Sequence, residues 1–190
     1  MKFRLNKQSL GIAKSLAIIG STGALVIGAT FAATGVGTAS LTSNTFSVGT
    51  GGVLIASDNS GSPGSYSTSV AGFNFGSLTQ GGSSPTEHFW LKNGTTSTIA
   101  LTAAAANVTT SNLDPTMVTI HLEKTGTTQD DSATLSSLTS GSQTLTNAPG
   151  TSDTNGIEYS VWITLGSSAV TAGSTAQANF DLNFSATTTS

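Results

Sequence analysis

Most of this chain reads with a period of two. Val118, Ile120 and Leu122 alternate with Thr119, His121 and Glu123; Ile157, Tyr159, Val161, Ile163 and Leu165 alternate with Glu158, Ser160, Trp162 and Thr164. Phe180, Leu182 and Phe184 alternate with Asp181 and Asn183, and Phe89 and Leu91 with His88, Trp90 and Lys92. Shorter stretches sit at Phe46 and Val48, Val53 and Ile55, Phe73 and Phe75, and Ile99 and Leu101. Alternation on this scale predicts strands with one face buried and one in water. Turn-forming clusters separate them: 59–64, 81–85, Asn93-Gly94, Asp114-Pro115, 126–131, 148–150 and Asn155-Gly156. Many short strands at this spacing predict an all-β fold, an antiparallel sandwich.

The Ala-rich run 102–108 is the one helical candidate, but it follows a strand directly and lacks a cap, so it predicts a strand end or a single turn. Segments 57–69 and 125–153 are low in complexity and are expected as long surface loops, the second holding one weak strand near 135–138 or 144–145. No fixed-period repeat and no dividing linker is visible.

The first 33 residues break this pattern. Lys2, Arg4, Lys7 and Lys14 precede an apolar, small-residue run from Ser15 to Ala33. A basic head, an apolar middle and small residues at the exit make a secretory signal peptide. Ser21, Thr22, Gly20, Gly23 and Gly28 within the run favour a cleaved leader over a retained anchor helix. Two exits fit, Thr30-Phe31-Ala32 before Ala33 and Gly37-Thr38-Ala39 before Ser40. The expected organisation is leader 1–32, an N-terminal segment and first strand 33–48, and a sandwich 49–190.

Loss of the leader changes the electrostatics. It takes four of the six cations and leaves Lys92 and Lys124 against nine carboxylates, a formal charge of −7. Such a product is not drawn to nucleic acid or to an anionic bilayer. About 158 of the 190 residues then remain, enough for one domain with a core. There is no cysteine, so stability rests on packing and sheet hydrogen bonds. About a third of all residues are Ser or Thr, a composition suited to strands. The expected location is extracellular, with no stable membrane insertion after cleavage.

An ordered set of segments resembles the TasA/camelysin family of secreted biofilm-matrix fibre proteins. Gly28-Ala29-Thr30-Phe31-Ala32-Ala33 resembles the family's leader exit, placing the cut between Ala32 and Ala33. Asn44-Thr45-Phe46-Ser47-Val48-Gly49-Thr50 resembles its Thr-Phe-x-Ala-Gly-Thr signature, although Gly51-Gly52-Val53-Leu54-Ile55 replaces the usual Leu-Asp-Leu. Segment 73–79, followed by Glu87-His88-Phe89-Trp90-Leu91-Lys92-Asn93-Gly94, parallels a strand–turn–strand unit, with Thr79-Gln80-Gly81-Gly82 in place of the Pro-Gly-Asp turn. Segment 178–186 resembles the last strand. The resemblance implies a jelly-roll-like β-sandwich, processing by signal peptidase, and head-to-tail polymerisation outside the cell. In such fibres the N-terminal segment of one subunit completes the sheet of the next.

On these residues the donor strand is 33–43. Ala33, Gly35, Gly37, Ala39 and Leu41 share one parity, and Val36 falls on the other, so register is weakly specified. Main-chain hydrogen bonds would supply affinity to an open edge. The expectation is of a lone subunit that lacks a strand and borrows it from its neighbour.

No catalytic residue, cofactor or metal ligand set is assigned. There is no nucleophile elbow, P-loop, dinucleotide fingerprint or His-Glu-x-x-His. His88 and His121, with Glu87 or Glu123, are the only conceivable zinc set, and both histidines are expected on a solvated sheet face. Asp153-Thr154-Asn155-Gly156 lacks the spacing of a calcium loop. Trp90 and Trp162 lie on polar parity, as lateral contacts between subunits or as rings covered by the 125–153 loop. Asn93, Asn107 and Asn183 head glycosylation sequons. The alternative function is a monomeric carbohydrate-binding or adhesin module.

Overall fold

The computed structural model describes residues 38–41, 44–49, 52–171 and 174–189. The leader, the cut between Ala32 and Ala33, and Ala33, Gly35, Val36 and Gly37 lie outside the described residues. Among the described residues twelve strands form two sheets packed face to face: β1 Thr38–Leu41, β2 Thr45–Val48, β3 Val53–Ser57, β4 Ser69–Ala71, β5 Gly76–Thr79, β6 Glu87–Asn93, β7 Ile99–Ser111, β8 Val118–Lys124, β9 Ala133–Thr134, β10 Gln143–Leu145, β11 Ile157–Leu165 and β12 Thr175–Thr188. One sheet runs β10-β7-β12-β1-β5, with β2 also on β12 and β4 on β2; the other runs β3-β6-β11-β8-β9. The chain crosses repeatedly between the sheets and forms a jelly-roll-like sandwich; the alternation predicted the sandwich, and the jelly roll is what the resemblance implied. Pairing is antiparallel except where β1 and β2 lie parallel to β12.

Period two fills the space between the sheets. Phe46 and Phe184 come from one sheet, Phe89 and Tyr159 from the other, and all four are buried. Phe89 meets Phe46 edge-on at 5.4 Å and stacks on Tyr159 at 5.6 Å, so the sheets are keyed by aromatic contact. Glycine-free alternation in β11 buries Ile157, Tyr159, Val161, Ile163 and Leu165 from one central strand.

Three local expectations change. The Ala-rich run is neither a strand end nor a turn but the middle of the 13-residue β7, because it pairs along β12 and turns Ala103 and Ala105 into the core. Segment 135–138 is not a strand: a short helix, α1 (Leu135–Ser140), starts at Thr134, whose side chain accepts a hydrogen bond from the Ser137 N–H at 3.1 Å. It buries Leu135 and Leu138, and the weak strand falls at β10 instead. Phe73 and Phe75 precede β5 rather than lying in it.

Candidate functional site

The N-terminal strand sits inside the sheet. β1 is flanked on one edge by β12, in parallel register from Thr38 opposite Thr175 to Leu41 opposite Ala178. On the other edge it meets β5, antiparallel, with Ala39 opposite Leu78 and Leu41 opposite Gly76. The Phe75 N–H adds a hydrogen bond to the Leu41 carbonyl at 3.1 Å. Ala39 and Leu41 have no exposed surface, and Ala176, Ala178 and Leu78 beside them are also buried. The shared parity of Ala39 and Leu41 is therefore the core-facing parity. In the single chain this seat is filled by the chain's own β1, and it is not a vacant groove.

β1 and β2 are successive pieces of one arm along β12, joined with a slip of one residue. Leu41 pairs with Ala178 but Phe46 with Leu182, so the arm carries one residue more than β12 at this level. On the opposite edge the register of β7 slips too, between Asn179 and Asp181. Paired bulges release main-chain groups near Phe180 from the regular ladder, and side chains take them up. Asn44, 4% exposed, accepts from the Phe180 N–H at 3.3 Å and donates to the Phe73 carbonyl at 3.0 Å. The Asp181 carboxylate accepts from the Thr45 N–H at 3.0 Å and from the Asn107 amide at 2.6 Å, tying the arm, β12 and β7 together. Asn107 occupies the left-handed region, with φ of 51°. Gly72 is forced by proximity, since a Cβ there would run into the Asn44 carbonyl. Neither Asn44, Asp181 nor Gly72 carries a sequence signal, because period and composition are blind to where two chain segments touch.

The outer face of the β3-β6-β11-β8-β9 sheet collects the remaining predicted residues. Trp90 and Trp162 are half-buried, each bound by neighbours. The Trp90 indole donates to Asp58 at 2.9 Å, and this hydrogen bond, ahead of smaller backbone and charge effects, holds the Asp58 carboxyl below its ordinary range. Trp162 stacks on His121 at 4.8 Å with planes 5° apart. His121 Nδ1 lies 2.7 Å from Asp130, within the 125–153 segment, and Nε2 lies 3.0 Å from the Thr164 hydroxyl. That segment thus reaches the Trp162 face.

His88 lies apart from His121, on β6 opposite Ser160, with β11 between the two histidine strands. Two strand spacings and two residues separate their backbones, about 12 Å, and each ring faces its own partners, His88 toward Glu158 and Ser160 and His121 toward Asp130 and Thr164. Both Glu158 at 3.5 Å and Ser160 at 3.4 Å address the same nitrogen of His88, Nδ1, so this trio is not a relay passing a proton through the ring. Among the described residues no group of three His, Asp or Glu side chains is placed to hold a metal. Lys92 lies over the Tyr66 ring at 5.5 Å.

The three sequons separate by environment. Asn93 is buried and spends its side chain on Thr95 and Ser97. Asn183 lies within β12 and accepts from the Ser47 hydroxyl. Asn107 is exposed on the β7 bulge. A cleft of about 360 Å³ beside it is lined by Val108, Pro115, Ser136, Thr139 and Ser140, with no ionisable group among them. No protein-family model matches this chain, and no curated protein matches it.

Proposed function

We propose that the chain is a secreted structural subunit that polymerises into extracellular filaments by lending its N-terminal strand to a neighbour. The observation that supports this is the seat of β1: a short terminal strand, hydrogen-bonded on both edges, with its inward side chains completely buried. A strand of this kind can withdraw without unthreading the sandwich, because after leader removal only 33–37 precede it. Its withdrawal opens the edges of β12 and β5 over an apolar floor, and an identical strand from a second copy restores every contact. Each such contact is head-to-tail and non-closing, so repetition gives a filament. Cleavage before Ala33 keeps the donor whole, whereas cleavage before Ser40 would remove Thr38 and Ala39 from it.

The test is deletion of 33–43 from the mature chain, viewed by electron microscopy against the intact form. The reading expects filaments from the intact chain and none from the truncated one at equal concentration. Filaments from both would end it. The alternative, a monomeric carbohydrate-binding or adhesin module, draws on the same seat, since a chain that closes its own sheet has no obligate need of a partner. Monodisperse globules from the intact mature chain over a wide concentration range would select it.

A further inference from the structure

We infer that Asn44 marks the boundary of the exchanging unit: β1 passes to the neighbouring copy, while β2 stays in its own sandwich. This rests on the strand-exchange reading above. The two pieces of the arm differ in how they are held. β1 is bound by its ladder to β12 and β5 and by burial of Ala39 and Leu41. All of these are contacts that a second copy of the same segment reproduces.

β2 has its own ladders, to β12 and to β4, and further contacts besides. Phe46 is packed edge-on against Phe73 at 5.0 Å and Phe89 at 5.4 Å, inside the aromatic cluster that keys the two sheets. The Val48 N–H bonds the Thr68 carbonyl at 2.9 Å and the Gly49 N–H bonds the Phe184 carbonyl at 2.6 Å, fixing the far end. At the near end Asn44 fills the double bulge, answering the Phe180 N–H that no ladder serves, with its carbonyl pressed on Gly72. Removing β2 would strip the core of Phe46 and orphan a buried donor, whereas removing β1 ends at a residue already clamped. The chain therefore has a built stop at Asn44, C-terminal to β1.

The chain contains no cysteine, so introduced thiols report without background. Ser40 is opposite Ser77 across the β1–β5 pair, and Ser47 is opposite Ser69 across the β2–β4 pair. Mature S40C and S77C chains are mixed under assembly conditions and treated with a short bismaleimide; S47C and S69C chains are treated alike. A chain carrying both S47C and S69C shows, by an internal cross-link, that those thiols react. The inference expects a covalent heterodimer from the first mixture, absent from either chain alone, and none from the second. In the Asn44→Ala background the second mixture begins to yield heterodimer as the stop is lost.

Heterodimer from both wild-type-background mixtures would overturn the boundary while leaving strand exchange intact. Heterodimer from neither, with filaments present, would overturn the inference and assign the filament to another contact. Neither heterodimer nor filaments would remove both readings. Heterodimer from the first mixture alone, without filaments, would support the boundary and sink the fibre. The unmodified Asn44 background decides these outcomes even where Asn44→Ala does not fold, and a folded Asn44→Ala chain whose β2 pair stays within one chain would overturn the role of Asn44.

Discussion

At the scale of single residues, the polar side chains that matter are those placed where the ladder fails. Asp181 is the clearest, accepting from Thr45 on one side of β12 and Asn107 on the other. Asp181→Ala removes both acceptors and should lower unfolding stability by about 1–3 kcal/mol, read as a shift of the urea midpoint with unchanged slope. Tyr159 presents a different problem. Its ring is buried against Phe89, its hydroxyl donates to the Asn147 carbonyl, and burial, then the charges of Asp131 and Asp153, push its ionisation well above the ordinary range. Above about pH 10 the unfolded chain loses this proton and the folded chain keeps it, so the unfolded state binds fewer protons and stability falls as pH rises. Alkaline denaturation should therefore begin near that pH, and Tyr159→Phe should flatten this part of the profile while lowering stability at neutral pH. Had Tyr159→Phe left the alkaline slope unchanged, another group would have to carry it.

At the scale of elements, β1 and α1 show two ways in which local sequence yields to its surroundings. Ala39 and Leu41 look unremarkable in a small-residue stretch, yet β12 and β5 bury them completely. Leu41→Ala should cost about 2–5 kcal/mol if the strand is seated, measured by denaturant unfolding of the mature chain. A loss below about 0.5 kcal/mol, the range of neutral surface changes, would mean that β1 spends its time out of the sheet. For α1, Leu135 and Leu138 stand three apart, a spacing that suits one helical turn, and Thr134 supplies the cap. Low complexity across 125–153 hid that signal, since Ser and Thr favour caps and strands alike. The Ala run of β7 failed in the opposite direction. Alanine is the best helix former in isolation, but the antiparallel ladder with β12 takes the run as strand, and a non-local ladder outweighs local propensity.

At the scale of the whole molecule, if strands exchange as proposed, the balance lies between β1 in its own seat and β1 in that of a neighbour. The contacts would be the same in both, so the difference would be chain entropy. A short tether gives the cis strand an effective concentration of order millimolar. Filament growth should accordingly show a steep concentration threshold, lowered by seeding with preformed fibres, when followed by light scattering. Growth proportional to concentration from the lowest values, without a seeding effect, would contradict competition between the two seats. Without residues 1–32 the chain carries nine carboxylates against two lysines, so assembling copies would repel one another and salt should lower the threshold. By itself the sequence determined the strands of period two, the turns between them, the two-layer class and the face each alternating residue presents, because these depend on neighbours a few positions away. Only the tertiary structure decided that the N-terminal arm runs parallel to the last strand, that bulges on both flanks of Phe180 coincide, and that Asn44, Asp181 and Gly72 serve them. Those facts arise where segments distant in the chain come into contact, and no local pattern encodes which segment will be the neighbour.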